Sequence, residues 1–321
     1  MLAFIFPGQG SQYPGMGQQI VEAFDEARQI FDEADEALGF SLSRLCFEGS
    51  KEDLSLTENT QPAILTTSIA LYRVLESMGK RPDFVAGHSL GEYSALVAAG
   101  SLSFSDAVRL VRERGRLMQT AVPVGKGAMS AILGLQLNKV EEICQQAAQG
   151  EVVSPANVNS PAQIVIAGHQ EAVARADILA RKYGAKRVLP LTVSAPFHCE
   201  LMKPAEIGLA KLLRQTNLDN LAFPLVNNVE AQVITSGEEA RNGLIKQVAS
   251  AVLWTSCVQV LVQEGVSKFV LGTDGQGRDM LSTILYGSRI SLIVGFSAIL
   301  FSLILGVTLG LTAGYFGGKY E

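Results

Sequence analysis

The chain is poor in the residues that mark many specialised classes. Only four of its 321 residues are cysteine, and Cys46, Cys144, Cys199 and Cys257 stand far apart, with no C-x-x-C among them. A zinc site or redox pair built on that spacing is therefore excluded, and free buried thiols in a reducing compartment are expected. Charged residues make up 18% and the net charge is -5, which argues against a protein whose main work is gripping nucleic acid. No internal repeat is evident. The first residues, Met1 to Gly8, carry no basic stretch, and their apolar run is too short for a signal peptide, so the body is expected to fold in the cytoplasm. Histidine is limited to His88, His169 and His198, which leaves few candidates for a general base.

What is present is apolar. Hydrophobic residues reach 48%, enough for a sizeable core at this length. They are unevenly spread. Residues 271–321 hold three acids and three bases, so the preceding stretch carries 28 acids and 23 bases and with them the whole net charge.

Residues 2–6 read as a short buried strand stopped by Pro7-Gly8. Helical spacing runs from Gln18 to about Leu38, from Pro62 to Met78, from Leu90 to Ala99 and from Phe104 to Ala121, with a strand over Phe84–Gly87. This alternation predicts a mostly parallel sheet covered on both faces. After the loop Pro123–Gly127 the pattern shortens. Strands over Ala128–Leu133, Gln163–Ala167 and Arg187–Leu191 alternate with helices over Lys139–Gln149 and Glu171–Tyr183. The fold class that follows is α/β: a large parallel-sheet, hydrolase-like domain (1–123 and 194–270) with a small α+β, ferredoxin-like insertion (124–193). A helix from about Glu200 to Arg214 and a late strand over Gly265–Val270 belong to the large domain.

Gly87-His-Ser-Leu-Gly91 matches G-x-S-x-G and falls between a predicted strand and a predicted helix, the setting a nucleophile elbow needs. Small residues must flank the serine in so tight a turn. The backbone N–H of Leu90 can then face a developing oxyanion at the helix N-terminus. A serine needs a base. His88 adjoins Ser89 and reads as a packed core histidine, and His169 reads as a surface residue of the small domain. By elimination His198, after the proline-fixed turn Ser194-Ala-Pro196, is the best candidate. Four arginines, Arg109, Arg112, Arg114 and Arg116, crowd one predicted helix, and their pattern does not choose among them.

Five motifs occur in register: Phe6-Pro-Gly-Gln-Gly-Ser-Gln12, Gly87-His-Ser-Leu-Gly-Glu-Tyr93, Arg114-Gly-Arg-Leu-Met-Gln119, Asn157-Val-Asn-Ser-Pro161 and Ala195-Pro-Phe-His198. Together they resemble the malonyl-CoA:acyl carrier protein transacylases of bacterial fatty acid synthesis, over residues 1–270. The resemblance implies transfer of a malonyl group from malonyl-CoA to the phosphopantetheine thiol of acyl carrier protein. Ser89 would carry the group as an ester, with His198 as base, the N–H groups of Gln9 and Leu90 as oxyanion hole, and Arg114 holding the malonyl carboxylate. Phe197 looks like the malonyl-preferring form of its motif, Asn157 and Asn159 look like loop residues near the site, and the resemblance implies that Phe197 and Asn159 join Arg114 in binding substrate. The family orients its histidine by a backbone carbonyl, and Ala251-Val-Leu-Trp254 is the equivalent stretch, which assigns that role to Leu253. A monomer with no bound cofactor and no metal is implied, with acyl carrier protein and a coenzyme A thioester as partners. A serine esterase or thioesterase shares the elbow without requiring Arg114.

Residues 271–321 resemble something else. Leu271-Gly-Thr-Asp-Gly-Gln-Gly-Arg-Asp-Met-Leu281, Tyr286-Gly-Ser-Arg-Ile-Ser-Leu292 and the glycine-rich end are similar to a stretch of the permease subunit of dipeptide/oligopeptide ABC transporters, which makes the chain read as a chimera. The 29 residues Ile290–Gly318 carry no charge, and about 20 apolar residues suffice to span a bilayer. A transmembrane-type helix over 290–316 is therefore expected. A membrane-anchored or transport-complex component is the reading it would support.

Overall fold

In the computed structural model, residues 1–123, 125–191, 193 and 195–271 are described. The candidate membrane helix at 290–316 and the permease-like stretch beyond Leu271 lie outside them. Among the described residues no helix is long and apolar enough to cross a membrane.

The chain opens with β1 (Leu2–Phe6) and then α1 (Gln18–Ala23) and α2 (Asp25–Leu38). One continuous helix was the expectation here. Phe24 instead adopts an extended conformation (φ −137°, ψ 126°), and Asp25 and Glu26 supply the negative first turn that favours a fresh helix start. Gly39 ends α2 in the left-handed region, φ 69°, as its position suggested. Two short helices that the periodicity did not reveal, α3 (Leu42–Glu48) and α4 (Lys51–Ser55), are capped by Ser41 and Ser50. α5 (Thr57–Ser77) starts five residues before Pro62, which sits inside it.

β2 (Phe84–Gly87) lies beside β1 in parallel, Phe6 opposite Gly87, and leads into α6 (Gly91–Ala98) and α7 (Phe104–Thr120). A second sheet follows: β3 (Gly127–Leu133), α8 (Leu137–Ala148), β4 (Val153–Ser160), β5 (Gln163–His169), α9 (Gln170–Lys182) and β6 (Arg187–Pro190). Its order, β4-β5-β3-β6, is antiparallel throughout, the β-α-β-β-α-β course of a ferredoxin-like unit. Its core is aliphatic, built on Ile132, Ile143, Ile164, Ile166 and Val173.

Asn157 and Asn159 are strand residues of β4, not loop residues. Pairing with β5 overrides the turn preference of Pro155 and the asparagines, and the mismatch is absorbed as irregularities between Pro155 and Asn157 and between Val158 and Ser160. β4 is also stitched to residue 252: Val158 N–H donates to Val252 O and Val252 N–H to Ala156 O, both at 2.9 Å.

The chain then runs through a 3-10 turn (Glu200–Met202) into α10 (Lys203–Gln215), β7 (Leu225–Val226), β8 (Val233–Ile234), α11 (Gly237–Gln247), α12 (Trp254–Gln263) and β9 (Lys268–Leu271). Among the described residues the first sheet has the order β8-β7-β2-β1-β9, parallel except for the β7–β8 pair. β2 is thus a central strand, buried on both faces. Its carboxyl end is where the chain turns into α6.

Candidate active site

The turn from β2 into α6 is too tight for side chains at either end. A Cβ on Gly87 would lie 1.9 Å from the carbonyl carbon of Gly91, and one on Gly91 would lie 2.2 Å from Phe6 O. Glycine at both positions lets Ser89 sit between them at φ 53°, a conformation that costs a non-glycine residue energy and is held only by its surroundings. His198 has φ 60°, so both members of the candidate pair occupy the left-handed region.

Ser89 Oγ lies 2.7 Å from His198 Nε2, and His198 Nδ1 lies 2.9 Å from Gln247 O. A backbone carbonyl only accepts, so Nδ1 carries the proton and Nε2 offers its lone pair to the serine hydroxyl. Both residues are buried. Burial, reinforced by the nearby Arg114 cation and opposed by the Gln247 carbonyl, pulls the His198 pKa down to about 3. The imidazole is therefore neutral at neutral pH.

The orienting carbonyl is that of Gln247 and not, as the motif suggested, that of Leu253. Leu253 O accepts the Cys257 N–H at 2.9 Å as α12 begins, and Leu253 N–H donates to Asn228 O. The 251–254 stretch is spent on the β4 bridge and the helix start. Gln247, at the end of α11, reaches the imidazole.

Of the four arginines only Arg114 enters the site; it is 1% exposed. Its Nη2 donates to Ser89 Oγ (3.1 Å) and Gln247 Oε1 (3.0 Å), and its Nη1 to Gln61 Oε1 (2.9 Å). The other three serve the surface: Arg109 bonds Ala37 O, Arg112 lies over the Phe40 ring, and Arg116 pairs with Glu113 and Glu58. Burial lowers the Arg114 pKa from its ordinary value, yet a guanidinium starts so far above neutrality that it stays charged. Among the described residues no carboxylate forms an ion pair with it. Its hydrogen-bond partners are neutral oxygens, and Nε has none.

The remaining predicted residues take up varied places. Leu90 is buried and Gln9 exposed; among the described residues neither main-chain N–H has an acceptor. Phe197 is buried beside His198. Asn159 Oδ1 accepts from His88 Nε2 at 2.9 Å, and the His88 ring meets the Trp254 ring edge-on. His88 is thus a packed, half-buried histidine, its pKa lowered by desolvation. His169 is partly buried and its Nδ1 accepts the Val152 N–H. Among the described residues no group of His, Cys, Asp or Glu could hold a metal.

Three residues around the site escaped the sequence reading. Gln61 and Gln247 carry Arg114, and Asn228 braces the elbow, its Oδ1 accepting the Ser89 N–H and its Nδ2 donating to Gly87 O. Lone neutral amides outside any motif, such as Gln61, Asn228 and Gln247, give no sequence signal.

The acyl transferase domain family matches residues 3–264. The malonyl CoA-acyl carrier protein transacylase of Escherichia coli K12 is 50% identical over 265 residues, covering 82% of this chain and 86% of that one. An acyl carrier protein S-malonyltransferase of known crystal structure from Vibrio cholerae superposes with TM-score 0.83 at 48% identity, covering 85% of this chain and 89% of that one. A type II PKS acyl-carrier protein in complex with its malonyl-transacylase provides another match, TM-score 0.82 at 48% identity over 84% and 87% of the two chains. With an elbow serine, a neutral histidine and this degree of similarity, the chain belongs to the acyl transferase family that includes the malonyl CoA-acyl carrier protein transacylases.

Proposed function

We propose that the chain transfers a malonyl group from malonyl-CoA to the phosphopantetheine thiol of acyl carrier protein, in fatty acid synthesis, through a malonyl ester on Ser89. Ser89 Oγ attacks the thioester carbon while its proton passes to His198 Nε2. The oxyanion that forms is held by the N–H groups of Gln9 and Leu90. Collapse breaks the carbon–sulfur bond, and the leaving thiolate takes the proton from His198. In the second half the carrier thiol gives its proton to His198 and attacks the ester, and Ser89 recovers its proton as it leaves. No cofactor enters either half. Arg114 receives the malonyl carboxylate, and Phe197 lines the same pocket.

The observation that carries this reading is the buried, permanently charged Arg114 touching Ser89 Oγ with neutral partners only. Buried Glu92 attracts the guanidinium but makes no ion-pair contact with it and is itself pushed toward its neutral form by burial, so a carboxylate on the acyl group supplies the direct partner in a two-point pair. An esterase for uncharged acyl groups has no use for it. The free, buried thiols suit a reducing, cytoplasmic setting. Residues 1–123 with 194–270 are taken as the catalytic body, 124–193 as an insertion, and 271–321 as a permease-like passenger, consistent with a family match that ends at residue 264.

The test is an intact mass after brief exposure to malonyl-CoA, followed by location of the modified peptide. A malonyl adduct on Ser89 that is discharged by carrier protein is the expected result. A folded protein that hydrolyses malonyl-CoA, or acylates elsewhere, overturns the assignment.

A further inference from the structure

A serine held at φ 53° needs something outside the turn to keep it there. The turn itself offers little. Gly91 N–H returns to His88 O and Glu92 N–H to Ser89 O, which leaves the Ser89 N–H and the Gly87 carbonyl without partners inside the loop. Both are taken up by one side chain from a different part of the chain. Asn228, just after β7, accepts the Ser89 N–H on Oδ1 at 2.6 Å and donates Nδ2–H to Gly87 O at 2.7 Å. It therefore spans the elbow as a peptide group of a neighbouring strand would, at the point where β7 has ended.

Asn228 is itself aimed from both sides. Its backbone N–H donates to Glu92 Oε2 at 2.9 Å, its backbone carbonyl accepts from Leu253 N–H, and the same Glu92 oxygen accepts from Gln247 Nε2 at 2.9 Å. Asn228 and Glu92 are both fully buried. We infer that Asn228 is a positioning residue for the reaction: its amide clamps Ser89 in the left-handed conformation that brings Oγ to His198, and buried Glu92 fixes the clamp in place. The inference takes Ser89 as the nucleophile, as proposed above.

An amide fits both contacts, because one end must accept and the other donate. A protonated carboxyl meets the same requirement and a carboxylate does not. That distinction provides the test. The charged and titratable groups facing Asn228 are Glu92 on α6, Glu230 in the following turn, Cys257 on α12, and Arg114 on α7 beyond Gln247. A carboxyl introduced at 228 is desolvated and sits beside another carboxyl, so it titrates well above the usual carboxylate range.

Full-length native, Asn228→Ala and Asn228→Asp chains would be compared in two assays. One is transfer from malonyl-CoA. The other is labelling by a fluorophosphonate, in which Ser89 Oγ forms a bond to phosphorus, fluoride leaves, and the serine proton passes to His198. Displacement of a reacting atom by about 1 Å costs about a hundredfold, so Asn228→Ala should lose about that factor in kcat and in labelling rate, with KM for malonyl-CoA little changed because Arg114 is untouched. Asn228→Asp should regain activity relative to native as pH falls from about 8 to about 6, as its carboxyl takes up a proton. Folding of each variant is read from its thermal transition. Native rates of labelling in a folded Asn228→Ala chain, or an Asn228→Asp profile parallel to native at every pH, overturn the inference. Slow labelling of the variant beside a native chain that labels but takes no malonyl group would uphold it and overturn the proposed function instead.

Discussion

At the carboxyl end of the parallel sheet the molecule buries a carboxyl, a guanidinium, an imidazole and several amides; the antiparallel sheet is packed on isoleucine, valine and alanine, with Ser130, Asn157 and Asp177 as its buried polar side chains. Transfer free energy favours the second arrangement, since each desolvated polar group costs stability unless it is fully bonded. The first is therefore the region where stability has been given up for chemistry. Substitutions there should cost activity out of proportion to stability, and substitutions in the antiparallel sheet should do the reverse.

The sharpest break of this comparison is at Ser89. Ser89→Ala should lower malonyl transfer by at least about a thousandfold, with the thermal transition within a few degrees of native. A large fall in stability with it would show that the elbow serine is a packing residue after all. Arg114→Ala comes next. Malonyl transfer should fall by about a hundredfold or more, and the preference over acetyl-CoA should collapse, because a pocket built around a charged group discriminates mainly through that group. Competition between the two thioesters measures this directly, and an unchanged preference would remove Arg114 from the site. The acid limb of kcat/KM gives a third comparison. With the His198 pKa held near 3 by burial and by Arg114, malonyl transfer should persist below pH 6.5, the ordinary histidine value, and fail only in strong acid. A limb near 6.5 would mean that the imidazole is solvated.

The pattern of what was legible follows the same division. Strands β1, β2 and β9, the elbow and the candidate pair Ser89 and His198 could be read from short patterns, because tight turns restrict residue type, whereas β7 and β8, two residues each, are too short to show a period. The choice of Arg114 needed the resemblance, although the helix itself carried a signal. Ala107, Val111, Arg114 and Met118 share the buried stripe of α7, whereas Arg109, Arg112 and Arg116 fall off it. The strand through Asn157 and Asn159 was hidden because pairing with β5 outweighs local preference. The capping box of α11, Ser236 with Glu239, stands in the sequence as S-x-x-E and escaped notice among turn-forming neighbours. Gln247 in place of Leu253 could not be read at all: a main-chain carbonyl has no residue type, and only the path of the chain decides which one reaches the imidazole.

Each region also holds one buried carboxyl with a raised pKa, which allows the comparison to be made in stability alone. Burial lifts Glu92 to about 7 from 4.5, against its bonds from Asn228 and Gln247. A folded-state value above the unfolded one stabilises fully below pH 4.5, and that contribution is lost as pH rises through 7. His198 works the other way, its contribution growing as pH rises from about 3 to 6.5. The two slopes oppose each other between pH 4.5 and 6.5. Glu92→Gln should uncover the histidine slope, about 1.4 kcal/mol per pH unit for one proton, in urea titrations across that window. Identical pH dependence in native and variant would mean that Glu92 is not neutralised by burial.

Asp177 is the matching group on the other side and should give the smallest effect. It lies on α9 over the antiparallel sheet, its pKa is raised by burial, and Ser130 and Arg181 pull it back. Because it is only partly desolvated, its contribution is also present at low pH and lost as pH rises, but over a narrower range than that of Glu92. Its Oδ1 has no hydrogen-bond partner, so Asn in its place gives up no bond at that atom and removes a partly buried charge. Asp177→Asn should therefore be neutral or stabilising by up to about 1 kcal/mol at neutral pH, with malonyl transfer unchanged. If the variant instead altered kcat, the antiparallel sheet would be coupled to the chemistry through β4, whose Asn159 already touches His88. The division between a region kept for stability and a region kept for reaction would then fail at that strand.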